Sequence, residues 1–97
     1  MFFALICRDK PGALQVRMDA RPDHVAYLKG LDEKGQLKAA GPLLDDDGKP
    51  CGSLIILDVA DKAEAQAIAD NDPYAHADLF ADVDVKPYTW IFHPPEA

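Results

Sequence analysis

The chain has 97 residues, 48% of them apolar, and a formal net charge of −7. That length predicts one domain over residues 1–97, with only about 60–65% of the unfolded chain's surface hidden on folding. The acidic surface repels phosphate backbones and anionic head groups, which argues against nucleic acid and membranes as partners.

No apolar run approaches the ~20 residues needed to span a bilayer. The opening Met1-Phe2-Phe3-Ala4-Leu5-Ile6-Cys7-Arg8 has no basic n-region and reads as a strand rather than a leader. Two cysteines, Cys7 and Cys51, with no leader point to a reducing cytoplasm, where both are expected as buried free thiols.

Phe2 to Arg8 is continuously apolar until it ends in charge, the mark of a strand covered on both faces. Asp9-Lys10-Pro11-Gly12 breaks it, and an irregular stretch is expected through Arg17. Asp19 is placed to cap a helix in which Arg21, His24, Leu28 and Leu31 share one side, with Gly35 as its left-handed end. Leu37 to Ala40 reads as a short strand stopped by Gly41-Pro42, and Asp45-Asp46-Asp47-Gly48 as a solvated turn. Gly52 to Val59 is a second uninterrupted apolar strand.

Asp61 and Glu64 match a capping box that opens an alanine-rich helix through about Ala69. Asp72-Pro73 then starts a short helical turn through Phe80. The last strand carries Val83 and Val85, and Pro87 predicts a bulge that shifts the phase to Tyr88, Trp90 and Phe92.

The order βαββαβ predicts a ferredoxin-like α+β fold with antiparallel sheet order 4-1-3-2 and the helices on one face. The central strands are apolar on both faces, and the chain has nothing left for the second one. A homodimer packed sheet to sheet, a dimeric α+β barrel, is the expected answer.

In that topology Arg21, His24, Gly41, Pro42, Gly52, Ser53 and Asp72 converge on one edge, joined by Cys7 and Arg8. Arg21-x-x-His24-x-x-Tyr27-Leu28, Ala40-Gly41-Pro42, Gly52-Ser53, Asp72-Pro73-Tyr74 and Val83-x-Val85-x-Pro87 resemble the YciI-like (YCII-related) family over nearly the whole chain. The resemblance implies the dimeric α+β-barrel fold and a histidine/aspartate site, matched here by His24 and Asp72. Most of that family has no assigned reaction, although one relative is a dehydrochlorinase acting on a chlorinated hydroxyquinol.

Every candidate has a plainer role beside it. His24 suits a satisfied core histidine as well as a general base. Asp72 suits a helix cap, and serves both purposes only if one carboxylate oxygen caps while the other meets His24. Arg21 suits a surface ion pair or a substrate anion; Gly41, Pro42, Gly52 and Ser53 suit turn chemistry or a pocket floor; Tyr74 suits packing. Asp72, His76 and His24 form no full ligand set, so no metal is expected.

The expected function is a cytoplasmic, metal- and cofactor-free enzyme on a small phenolic or lactone molecule. His24 and Asp72 would be catalytic; Arg21, Gly41, Pro42, Ser53 and Tyr74 would bind substrate. The alternatives are a noncatalytic small-molecule binding module and a purely structural dimerisation domain.

Overall fold

Two apolar strands lie side by side in the middle of the sheet. β1 (Phe2–Asp9) pairs antiparallel with β3 (Pro50–Asp58), Leu5 opposite Ile55 and Cys7 opposite Ser53. β2 (Leu37–Leu44) flanks β3, and β4 (Phe80–Tyr88) flanks β1, so the four strands run β2-β3-β1-β4. This is the expected ferredoxin-like order counted from the opposite edge. The computed structural model describes residues 1–95; in the Pro94-Pro95-Glu96-Ala97 run, expected to join no core, Glu96 and Ala97 lie outside the described residues.

Residues two apart on a strand share a face. Phe3, Leu5 and Cys7 of β1, Ile55 and Leu57 of β3 and Val85 of β4 therefore form one buried layer. Leu31 of α1 (Leu14–Glu33) and Ala65 and Ala69 of α2 (Lys62–Asp70) cover it. Alanine on α2 lets that helix approach closely, and each fully buried large side chain such as Leu57 contributes roughly 1.5–3 kcal/mol. A third, single-turn helix, α3 (Pro73–His76), follows α2 at once, shorter than the turn expected through Phe80.

The helix ends follow local chemistry. Gly35 takes φ +74°, and the amides of Gly35 and Gln36 return to the carbonyls of Asp32 and Leu31, closing α1 in a Schellman motif. Asp61 accepts the Glu64 amide at 2.9 Å, while Glu64 reaches back to the amide of Ala60.

Four boundaries differ from the sequence reading. α1 starts at Leu14, so residues 14–17 are helical and Asp19 accepts from the Gln15 amide rather than capping. Pro22 consequently sits inside the helix, where it leaves the Met18 carbonyl without an intrahelical donor. β2 runs through Gly41-Pro42 to Leu44, because an edge strand has one side without a ladder and tolerates a missing N–H. In β4 the register slips between Arg8 and Asp9 of its partner, not at Pro87, which stays paired with Phe3.

The other sheet face carries Ala4 and Ile6 of β1 and Leu54 and Ile56 of β3. The segment after β4 covers one end of it, with Trp90 edge-on to Phe2 at 5.6 Å, so the chain does supply part of that cover.

Gly52 is neither a turn residue nor part of a pocket. It lies in β3 opposite Arg8, and a Cβ there would stand 2.4 Å from the Cys7 carbonyl oxygen. Backbone has to move to admit a methyl group. Gly52→Ala is expected to cost about 1–3 kcal/mol in urea denaturation, whereas Gly30→Ala on α1, where a Cβ meets nothing, is expected to cost nothing.

Candidate active site

Arg17, Arg21, His24, Leu28 and Leu31 recur at helical spacing along α1, so its first half lays a polar stripe where its second half lays an apolar one. Facing that stripe is α3. Asp72 is its N-cap and Pro73 its first residue, an arrangement that suits a missing N–H. The Asp72 Oδ1 accepts the Tyr74 amide at 2.9 Å and lies 2.8 Å from His24 Nδ1, while Oδ2 lies 3.0 Å from the same nitrogen. One oxygen both caps the helix and meets the imidazole, where the sequence reading divided these tasks between two. A carboxylate only accepts, so Nδ1 carries a proton, and in the neutral imidazole the free lone pair is on Nε2. Both side chains are buried.

Tyr74 stacks face to face on the His24 ring, centroids 3.9 Å apart. The Arg17 guanidinium covers the ring centroid at 4.6 Å. Arg17 is buried, and burial works against its charge. Its bidentate pair with Asp9 outweighs that and holds the guanidinium firmly protonated, Nε to Oδ2 at 2.7 Å and Nη2 to Oδ1 at 2.8 Å. Nη2 also donates to Ser53 Oγ at 3.0 Å. Burial likewise pushes the hydroxyls of Tyr74 and Tyr27 up, so both phenols stay protonated; Tyr27 donates to the Ile68 carbonyl.

A cavity of about 380 Å³ opens beside these groups, lined by Arg17, Arg21, His24, Ser53 and Tyr74 and floored by Ala40, Gly41 and Pro42 of β2. Small residues on β2 leave space beneath α1 that larger ones would fill. All five residues expected to touch a substrate, Arg21, Gly41, Pro42, Ser53 and Tyr74, border this space along with His24; Asp72 stands behind the imidazole and Gly52 is elsewhere. Arg17 and Asp9 were not anticipated. Extending the Arg21-His24-Leu28-Leu31 row one turn back lands on Arg17, a signal hidden by starting the helix at Asp19. Among the described residues no group of three or more His, Cys, Asp or Glu side chains is placed to hold a metal ion, and His76 is exposed.

The profile of the YCII-related domain family matches residues 1–89. The chain belongs to that family. Protein YciI of Escherichia coli is 36% identical over 98 aligned positions, which cover 95% of this chain and 100% of that one. The 5-chloro-2-hydroxyhydroquinone dehydrochlorinase (TftG) of Burkholderia phenoliruptrix, solved in complex with 2,5-dihydroxybenzoquinone, superposes with a TM-score of 0.84. It is 34% identical, over 98% of this chain and 100% of that one. An antibiotic biosynthesis monooxygenase, 11% identical, shares the fold alone, with a TM-score of 0.51 over 92% of this chain and 99% of its own.

The two thiols part company, against the expectation that both are buried. Cys7 lies in the core; Cys51 is exposed, and both are free. Burial, and then the Asp72 carboxylate, push the Cys7 thiol from about 9 up to about 12. A folded value above the unfolded one means the thiol favours the folded state fully below pH 9, and this contribution falls away as pH climbs toward 12. A chromogenic disulfide reagent at pH 8 is expected to modify Cys51 alone in the folded protein and both thiols in guanidinium. Replacing Cys7 by Ala is expected to flatten the loss of stability between pH 9 and pH 11.

Proposed function

We propose that the protein is a small-molecule enzyme of lyase or isomerase type, in which His24 moves a proton and Asp72 orients it. The observation that carries this reading is the 2.8 Å contact between His24 Nδ1 and Asp72 beside the cavity. Nδ1 is committed to Asp72, so the imidazole bordering the cavity has only Nε2 to offer, as an acceptor. A general base needs an orienting partner behind it and a cavity in front of it; a histidine held for packing alone needs neither.

Nε2 takes a proton from a carbon next to a carbonyl, and the released electron pair moves onto the carbonyl oxygen. When a neighbouring carbon bears chloride, the pair returns and expels the halide with its bonding electrons. When it does not, the imidazolium returns the proton to a different carbon. Electrons balance without a redox partner, so the proposal needs neither cofactor nor metal. TftG's dehydrochlorinase activity and its bound dihydroxybenzoquinone support a compact oxygenated ring as the substrate type. Arg21, Gly41, Pro42 and Tyr74 would border it, in a chain we place in the cytoplasm.

The same reading includes a second copy over the open sheet face. Leu54 is 38% exposed in the middle of that face, and Phe92 beyond β4 is 80% exposed. An apolar central strand left uncovered is a docking surface for its own copy in a symmetric pair.

Two measurements test these statements. Chloride release and ring isomerisation are followed on a panel of chlorinated hydroxyquinols and small lactones. His24→Ala is expected to lower turnover by ~10²–10⁴-fold in a protein that still folds and dimerises. Equal turnover in that variant removes the proton-transfer role. Sedimentation equilibrium is expected to give a dimer mass for the native chain and a monomer mass for Leu54→Asp; a native monomer ends the dimer proposal.

A further inference from the structure

We infer that Ser53, held from behind by Arg17, donates a hydrogen bond to a single ionised oxygen of the ligand, a phenolate or enolate. The inference rests on the cavity reading above and gives that cavity a second pole opposite its base.

Three observations lead there. First, Ser53 is only 2% exposed, yet it borders the cavity. Its oxygen already accepts from Arg17 Nη2, and a hydroxyl has one proton, which must then point elsewhere. Among the described residues the Ser53 hydroxyl donates no hydrogen bond of its own. A buried donor of this kind ordinarily has a partner.

Second, the guanidinium is already spent in the direction that recognises carboxylates. Nε and Nη2 are taken by the two oxygens of Asp9, and the second Nη2 proton by Ser53. The Nε–Nη2 edge is therefore closed to a carboxylate or phosphate of the ligand. Ser53 offers the ligand one O–H, polarised by the cation behind it, and one O–H matches one oxygen.

Third, the charge is arranged for an anion. The chain carries 17 acidic residues, but none borders the cavity, whereas Arg17, Arg21 and His24 do. Arg21 has no carboxylate within ion-pair distance among the described residues. An acidic protein has kept one hollow free of acid.

The two poles divide the chemistry. His24 receives the proton, and Ser53 steadies the negative charge that its departure leaves on oxygen. The donor strengthens its hold as that charge grows, which lowers the barrier rather than merely binding substrate. Ser53 touches the reacting group; Arg17 is a positioning residue.

The test uses 4-nitrophenol, whose phenolate absorbs visible light and whose phenol does not. On binding the native protein, just below the pH at which free probe half-ionises, the phenolate-to-phenol ratio is expected to rise roughly tenfold. Ser53→Ala is expected to abolish that rise, Ser53→Thr to restore it and His24→Ala to keep it. Arg17→Lys, if folded by its melting curve, is expected to weaken it. 4-Nitrobenzoate binding is expected to be indifferent to Ser53. A rise that survives in Ser53→Ala overturns the inference, as does native protein that binds no phenolate. A rise lost only in His24→Ala also overturns it, by assigning the anion to the imidazole. Turnover of His24→Ala is read separately, so proton transfer and oxyanion binding fail independently. In any substrate that turns over, Ser53→Ala is expected to lower kcat with little change in KM.

Discussion

The buried pair between Asp9 and Arg17 sets the geometry on which the cavity depends. Asp9 is the last residue of β1 and Arg17 lies in the first turn of α1, so two short hydrogen bonds tie the end of a central strand to the start of the long helix. Neither charge could stand alone at that depth. Removing one partner of such a pair typically costs about 3–5 kcal/mol, because the other is left buried and uncompensated. With the guanidinium fixed, its flat face rests on Tyr74, Tyr74 rests on His24, and the serine of the neighbouring strand is gripped from behind. Asp72 closes the circuit from the far side. Few atoms in this corner are free to choose their positions.

That rigidity sits within a corner that is otherwise thinly filled. β2 contributes Ala40, Gly41 and Pro42 where a larger side chain could have packed under α1. The core proper lies away from β2, where Phe3 of β1, Leu57 of β3, Ala65 of α2 and Leu79 just before β4 are almost wholly buried. Stability and hollow are thus segregated along the sheet, and the polar groups collect at the boundary between them. The acidic excess of the chain falls outside the cavity, so the local field there has a sign opposite to that of the surface as a whole.

Much of this could be read from residues alone, and the failures share a cause. The apolar runs Phe2–Cys7 and Leu54–Leu57 and the Asp61/Glu64 and Gly35 signals identified the elements, and chain direction alone brought His24 and Asp72 to one edge. Proline was read too literally. Asp19 reads as a cap because Pro22 suits a first turn, which hides Arg17; Pro42 reads as a strand end and Pro87 as a bulge. Each sits where its missing N–H is tolerated by context, inside a long helix that is held by packing or on strands with one unpaired side. The Asp9–Arg17 pair had no local signature, because its partners belong to different elements and meet only through the turn at Gly12. The fate of Cys51 was equally hidden, since burial at a strand start depends on what folds over it.

The imidazole and the carboxylate that orients it are 48 positions apart, and the oxygen holding Nδ1 is the one that starts α3. During synthesis residues 1–58 can form the long helix and the β2–β3 hairpin while His24 still has no anchor. Only after residue 74 has emerged and docked does the ring acquire a defined tautomer. A growing or truncated copy therefore lacks the Asp72 contact on its imidazole, which arrives in one late step together with the helix that Asp72 begins.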